Sequence, residues 1–174
     1  FLINFANNNF NLAYILLAMI LILIIFLSFN FPIAKMFLGD SGAYFLGCFL
    51  AISTIKTNIA LPLISPFFFC IILFYLFIEV FFSFFRKLIF EKQNPLMPDK
   101  KHLHMIIYRK IFSLQKNKIK SNYTCSIYIN VVYLLLIIPG ILSMYNGLFC
   151  KIYSALLIII YILTYTLFNS KKIN

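Results

Sequence analysis

The sequence predicts an all-α fold, a polytopic membrane helix bundle with about five transmembrane helices, and three observations carry that prediction. Of the 174 residues, 63% are apolar and only 11% are charged. A soluble domain carries about 25% charged residues, so this chain could not clothe a water-facing surface. The aromatic residues, 22 Phe and 11 Tyr without Trp, add to the same excess. Third, the apolar residues gather in runs long enough to cross a bilayer. Disorder, collagen, coiled coil and disulfide scaffold are excluded together. The chain reads as one integral membrane domain over 1–174, and because it opens at Phe1 rather than Met it reads as a fragment.

The elements follow in order. Residues 11–29 contain no charge, and residues 59–85 are interrupted only by Pro62, Pro66 and Glu79. Residues 127–145 and 152–168 follow a basic segment. At about 1.5 Å per residue each run can cross a hydrocarbon core of roughly 30 Å. A fifth run, residues 43–55, reaches spanning length only if it starts near Met36, which places Asp40 at the membrane face. Ala43, Gly47 and Ala51 form a small-residue stripe along it, a surface for close helix packing. Pro139 and Gly140 read as a helix kink rather than a boundary. The first run is too long for a signal peptide and lacks a basic flank.

Charge orients these spans. The formal net charge is +11, but Lys, Asn, Ile and Phe are all over-used, so the total says little about a polyanionic partner. Position says more, because ten of the 15 basic residues lie between Arg86 and Lys120. If residues 86–122 form a cytoplasmic basic loop, five crossings bring Lys35, Lys171 and Lys172 to the same side and leave only Lys56 and Lys151 outside. That topology brings the Asp40 loop to the same membrane face as Asp99, His102 and His104. Lys116, Lys118 and Lys120 have nothing interleaved that could stack on bases, so no nucleic-acid partner is expected. Cys48, Cys70, Cys125 and Cys150 share no metal-ligand spacing and read as free packed thiols.

With four acids in the chain, each is informative. Asp40 sits in KMFLGDSG (residues 35–42), a glycine-flanked turn leading into the short apolar run. A carboxylate there either caps that helix or binds Mg²⁺ together with substrate phosphate oxygens, and one residue can do both. Gly39 and Gly42 let backbone approach a bulky ligand, and the helix N-terminus offers N–H groups to an anion. Glu79 lies well inside its helix on the face of Ser83, where an acid is either functional or paired with a Lys or Arg at the membrane mouth. NPLMPDKKHLH (residues 94–104) is the densest polar cluster. Pro95 and Pro98 fix the loop, and in an extended chain the i, i+2 spacing puts His102 and His104 on one side. Zinc would need third and fourth ligands that the neighbouring sequence lacks. Phosphate binding by Lys and His fits better, with a solvated basic loop on anionic lipid headgroups as the alternative.

These two motifs resemble those of the polyprenyl-phosphate N-acetylhexosamine-1-phosphate transferases, relatives of the phospho-N-acetylmuramoyl-pentapeptide transferase. KMFLGDSG is similar to the family's K-x-F-M-G-D-x-G loop. NPLMPDKKHLHM (residues 94–105) is similar to its S-P-F-x-x-D-x-x-H-L-H-H segment. Glu79 falls where the family has an acid near the end of the intervening helix, with Arg86 and Lys87 in place of its basic pair. The resemblance covers the C-terminal half of the family.

It implies transfer of a sugar-1-phosphate from a UDP-sugar to undecaprenyl phosphate with release of UMP, a step that initiates lipid-linked cell-envelope glycan synthesis for cell wall or lipopolysaccharide. The implied setting is a multi-pass protein of the bacterial inner membrane with cytoplasmic site loops, Mg²⁺ as cofactor with Mn²⁺ as a substitute, and a homodimer as an open assembly. Carried onto this chain, Asp40 is a Mg²⁺ ligand, and His102 and His104 contact the diphosphate or nucleotide. Lys35, Gly39, Gly42, Asp99, Lys100 and Lys101 shape the binding loops, while Glu79 and Arg86 support them. Met105 departs from the pattern, standing where the family has a further histidine. The family's upstream acidic motifs, an Asp pair and an N-x-x-D-G-x-D-G loop, have no counterpart after Phe1. The chain alone is therefore expected to be inactive. The rival reading is a non-enzymatic membrane or transporter subunit with a lipid-binding basic loop.

Overall fold

The computed structural model describes residues 1–92, 94, 97, 99 and 101–170, and among them all regular structure is helical. Four helices are long and apolar enough to cross a membrane, or five if one bent pair is counted as a span. The protein is thus an all-α, polytopic membrane protein, as its composition predicts. In each of the four long helices, at most 17% of the most apolar stretch is buried inside the chain, which leaves apolar flanks for lipid or further protein. Contacts group the chain into two units, Phe1–Ile64 and Ser65–Asn174.

The first unit holds a short helix α1 (Leu2–Ala6) and two long ones, α2 (Phe10–Asn30) and α3 (Gly39–Ala60). Helix α2 coincides with the expected first span to within a residue at each end. Polar groups lock α1 to the far end of α3. Asn4, buried, donates from Nδ2 to Thr57 Oγ1 at 2.9 Å and accepts from Asn9 Nδ2 at 3.0 Å. Helix α3 runs for 22 residues, so the weak run over 43–55 is the middle of a full-length span that starts at the Asp40 loop. Its small-residue stripe is exposed, and no atom lies within 4 Å of a Cβ built on Gly47 among the described residues.

The second unit departs further from expectation. The run over 59–85 is not one straight helix. It breaks into α4 (Pro66–Ile72) and α5 (Phe74–Phe85), with Phe74–Glu91 turned by 75° against α4. Pro66 takes the first position of α4, where a missing N–H costs nothing. Past Phe85 the backbone continues as a wider π-helical turn, Arg86–Glu91, ending at Lys92 in a left-handed conformation. The segment expected as a basic loop over 86–122 is also largely helical. Helix α6 (Leu103–Gln115) lies inside it, and α7 (Lys118–Leu142) starts within it, its Asn117 cap accepting from the Lys120 backbone at 3.1 Å. Helix α8 (Gly147–Ser170) completes the unit.

Helix α6 forms because its apolar residues recur at helical spacing. Leu103, Ile106 and Ile107 bury one stripe against Cys125 of α7 and Tyr161 and Tyr165 of α8, with Phe82 of α5 packed on the same cluster. Phe82 meets the Tyr165 ring edge-on with centroids 4.6 Å apart. Lys110 lies 4.4 Å from the Phe168 ring centroid on the other flank. Helices α4 and α7 touch at Gly140, where a Cβ would fall 2.8 Å from Ile71 Cγ2. Pro139 lies inside α7 three residues before its end, so the expected kink falls in the last turn. Cys125 and Cys150 are buried free thiols, as expected, whereas Cys48 and Cys70 are exposed.

Candidate functional site

Three of the four acids, both histidines and both residues of the Arg86–Lys87 pair meet in the second unit, around the end of α5. Tyr75, Glu79 and Ser83 recur at four-residue spacing, which aligns them on one face of α5. Glu79 and Ser83 are buried. Among the described residues Glu79 does not pair with Lys or Arg. Its Oε1 accepts from the Tyr75 hydroxyl at 3.0 Å, and its Oε2 lies 3.0 Å from His102 Nδ1. His104 Nδ1 stands 3.9 Å from Oε1, within range of charge but too far for a hydrogen bond.

The two histidines face one side, as their spacing predicts. His102 is the extended residue preceding α6, and His104 lies in its first turn. Their rings are nearly parallel, 13° apart with centroids 5.5 Å apart. Both remain partly open, with 28% and 50% of their side-chain surfaces exposed.

One turn beyond Glu79, Asp99 ties the loop back to α5. Its Oδ2 accepts from the Ser83 hydroxyl and the Arg86 guanidinium, and its Oδ1 accepts from the Lys101 backbone N–H at 2.8 Å. Burial opposes charge on Asp99, but these hydrogen bonds and the Arg86 charge outweigh it and hold the carboxyl below the usual carboxylate range. Arg86 also pairs with Glu91, which takes Lys101 Nζ at 2.8 Å. Lys87, buried, donates to the Met97 carbonyl. Lys100, Pro95 and Pro98 lie outside the described residues.

Asp40 belongs to the first unit. It is exposed in the first turn of α3 and makes no side-chain cap hydrogen bond, so the capping reading is not what the fold shows. Its charge instead complements the positive end of the helix dipole. Gly39 precedes it at φ +69°, a left-handed conformation that suits glycine. Upstream, Asn30 Oδ1 accepts from the Lys35 and Met36 backbone N–H groups at 3.1 and 2.9 Å, which orders the entry to the loop. Gly42 follows within the same turn, packed close to the Leu38 side chain.

For Mg²⁺ the fit is to one residue. Among the described residues no three His, Cys, Asp or Glu side chains are grouped to hold a metal. A single exposed carboxylate still suits an ion that keeps waters and takes substrate phosphate oxygens. The two histidines likewise belong to no such group among the described residues. Sequence reasoning missed Tyr75 and Glu91. Tyr75 was within reach, four residues from a lone membrane acid. The Arg86–Glu91 pair at i, i+5 depends on a π-helical turn that the sequence does not announce.

Comparison with known proteins supports the resemblance. Residues 1–58, which include the whole KMFLGDSG loop, match the Glycosyl transferase family 4. The chain is also 38% identical over 92 residues to the undecaprenyl-phosphate alpha-N-acetylglucosaminyl 1-phosphate transferase of Thermotoga maritima. That match takes in 49% of this chain and 28% of the relative, so the chain spans under a third of the relative's length. Both matches uphold the resemblance read from the motifs. No solved structure matches the chain.

Proposed function

We propose that the full-length protein carrying this chain is an integral membrane glycosyl-1-phosphate transferase. It moves N-acetylhexosamine-1-phosphate from a UDP-sugar to undecaprenyl phosphate and releases UMP, at the cytoplasmic face of a bacterial inner membrane. The observation that carries this reading is the KMFLGDSG loop, an exposed carboxylate on a helix N-terminus inside the stretch that matches the transferase family.

The geometry suits phosphoryl transfer, which asks for positioning and charge neutralisation more than for covalent help. Asp40 would hold Mg²⁺, and the bound ion would neutralise phosphate oxygens and polarise the phosphorus. Gly39 and Gly42 leave backbone room beside Asp40 for a diphosphate. The partly open rings of His102 and His104 would contact phosphate oxygens of the donor, and Lys101 adds a half-exposed cation beside them. Asp99 and Arg86 fix the loop that presents these groups. An acceptor with a lipid tail calls for a site at the bilayer surface, the face to which the charge distribution along the sequence assigns both motifs.

Two substitutions in the full-length protein test the proposal. Asp40→Asn and His102→Ala should each lower UMP release by at least about 100-fold, the scale of losing a transition-state charge contact, while the protein stays folded in detergent. Unchanged turnover in both would sink the transferase reading in favour of a non-enzymatic membrane subunit. The 174-residue chain by itself is expected to release no UMP, since Asp40 alone gives a metal too few anchors.

A further inference from the structure

We infer that Glu79 is a positioning residue for the histidine pair, holding His102 so that only its Nε2 can meet the phosphate-bearing substrate. The inference rests on the transfer reaction proposed above and assigns a task to the membrane acid that the reaction itself does not use.

Packing already fixes the backbone beneath the rings. Leu103, Ile106 and Ile107 are buried in the core, and the Cys125 thiol donates to the His104 carbonyl at 3.5 Å. What remains free at His102 is the rotation of the imidazole. Glu79 removes that freedom through the 3.0 Å contact between Oε2 and Nδ1. A histidine nitrogen committed to a carboxylate leaves the other nitrogen, in a defined state, for ligand or substrate. The carboxylate is itself held, because Tyr75 occupies Oε1 at 3.0 Å. His104 stacks on the oriented ring and is steered with it.

The Glu79 side chain is 11% exposed, yet the rings it serves keep 28% and 50% of their side-chain surfaces open. The arrangement buries the anchor and leaves the working edge accessible. A carboxylate also suits the site chemically. It offers Tyr75 and an Nδ1-protonated His102 an oxygen each, whereas an amide would place a donor at one of the two positions.

The test is made on the full-length protein in lipid nanodiscs, with ¹⁵N-histidine labelling and UMP-release kinetics run in parallel. This chain contributes two histidines, and His102→Gln and His104→Gln assign their ring signals by loss. Wild type should show His102 protonated at Nδ1. Glu79→Gln should displace that signal and lower kcat about tenfold or more, the scale of losing a partner that orients a functional histidine. Glu79→Asp retains the charge but draws the carboxylate back by one carbon–carbon bond, and it should fail in the same way. Either variant suffices if the other does not fold. Unmoved His102 signals would overturn the inference, as would wild-type kcat in a variant whose signal has moved. A wild-type protein with no transfer activity would strike down the transferase reading, and this inference with it, before any variant is compared.

Discussion

Arg86 and Asp99, 13 residues apart, close the loop between α5 and α6, and the Asp99 oxygen that takes the guanidinium also takes the Ser83 hydroxyl. One carboxylate thereby pins the histidine-bearing segment to two turns of the preceding helix.

Asp99→Asn should therefore loosen the loop. Losing charge-assisted hydrogen bonds of this kind costs about 1–3 kcal/mol. Because the folded carboxyl titrates below its unfolded value, its contribution is fully present above the ordinary aspartate range near about 3.9. It is lost as pH falls through the lower folded value. Thermal unfolding in detergent should show the wild type more stable than Asp99→Asn at neutral pH, with the gap closing only in strong acid. A gap that already closes by pH 5 would contradict the assignment.

Gly39→Ala should cost about 1 kcal/mol or more, since a Cβ is disfavoured at its φ of +69° although nothing crowds the position. Turnover of the full-length protein should fall further than stability does, because the residue sets the direction in which Asp40 leaves the loop. A Gly39→Asn variant, which tolerates the left-handed region better, should recover part of the loss.

At Gly140 the limit is space. Gly140→Ala drives a methyl group into Ile71 and should destabilise by about 1–3 kcal/mol. Adding Ile71→Ala removes the atoms in the way, so the double variant should be more stable than the sum of the two single effects allows. Strict additivity would mean that α4 and α7 do not meet at this point.

Helix α7 is long enough to separate its ends by a bilayer. In a background with the four native cysteines replaced by Ser, Lys116→Cys and Lys151→Cys should react with a membrane-impermeant thiol reagent from opposite sides. Inverted and right-side-out vesicles should show reciprocal labelling, with Lys116 on the cytoplasmic side. Labelling from one side would remove α7 from the count of crossings.

Much of this was legible in the residues. The uncharged run over 11–29 could be nothing but a span, and α2 follows it closely. The histidine spacing foretold two rings on one side, which the parallel pair shows. Helix α6 was hidden because lysines and an arginine dominate its neighbourhood, although Leu103, Ile106 and Ile107 already carried a helical stripe. The bend was hidden for a different reason. Pro62 and Pro66 advertised an interruption, but the turn comes at Leu73, an apolar residue like its neighbours, and is set by packing of α4 against α7 and α8. The link from Glu79 to His102 joins residues 23 apart, and only the folded path of α5 and α6 supplies it.

The 75° turn at Leu73 has a consequence for hydrophobic mismatch. Laid out straight, the apolar run over 59–85 would measure about 40 Å, well beyond a hydrocarbon slab of roughly 30 Å. A rigid rod of that length must tilt or thicken the bilayer around it. Bent, the α-helical part of the second arm, Phe74–Phe85, measures about 18 Å, and α4 is turned by 75° from that arm. The excess length is folded sideways instead of being forced on the lipid. Membrane thickness then acts on the depth of Glu79 and Arg86 through the second arm alone, and the protein should tolerate thin bilayers better than its hydropathy suggests.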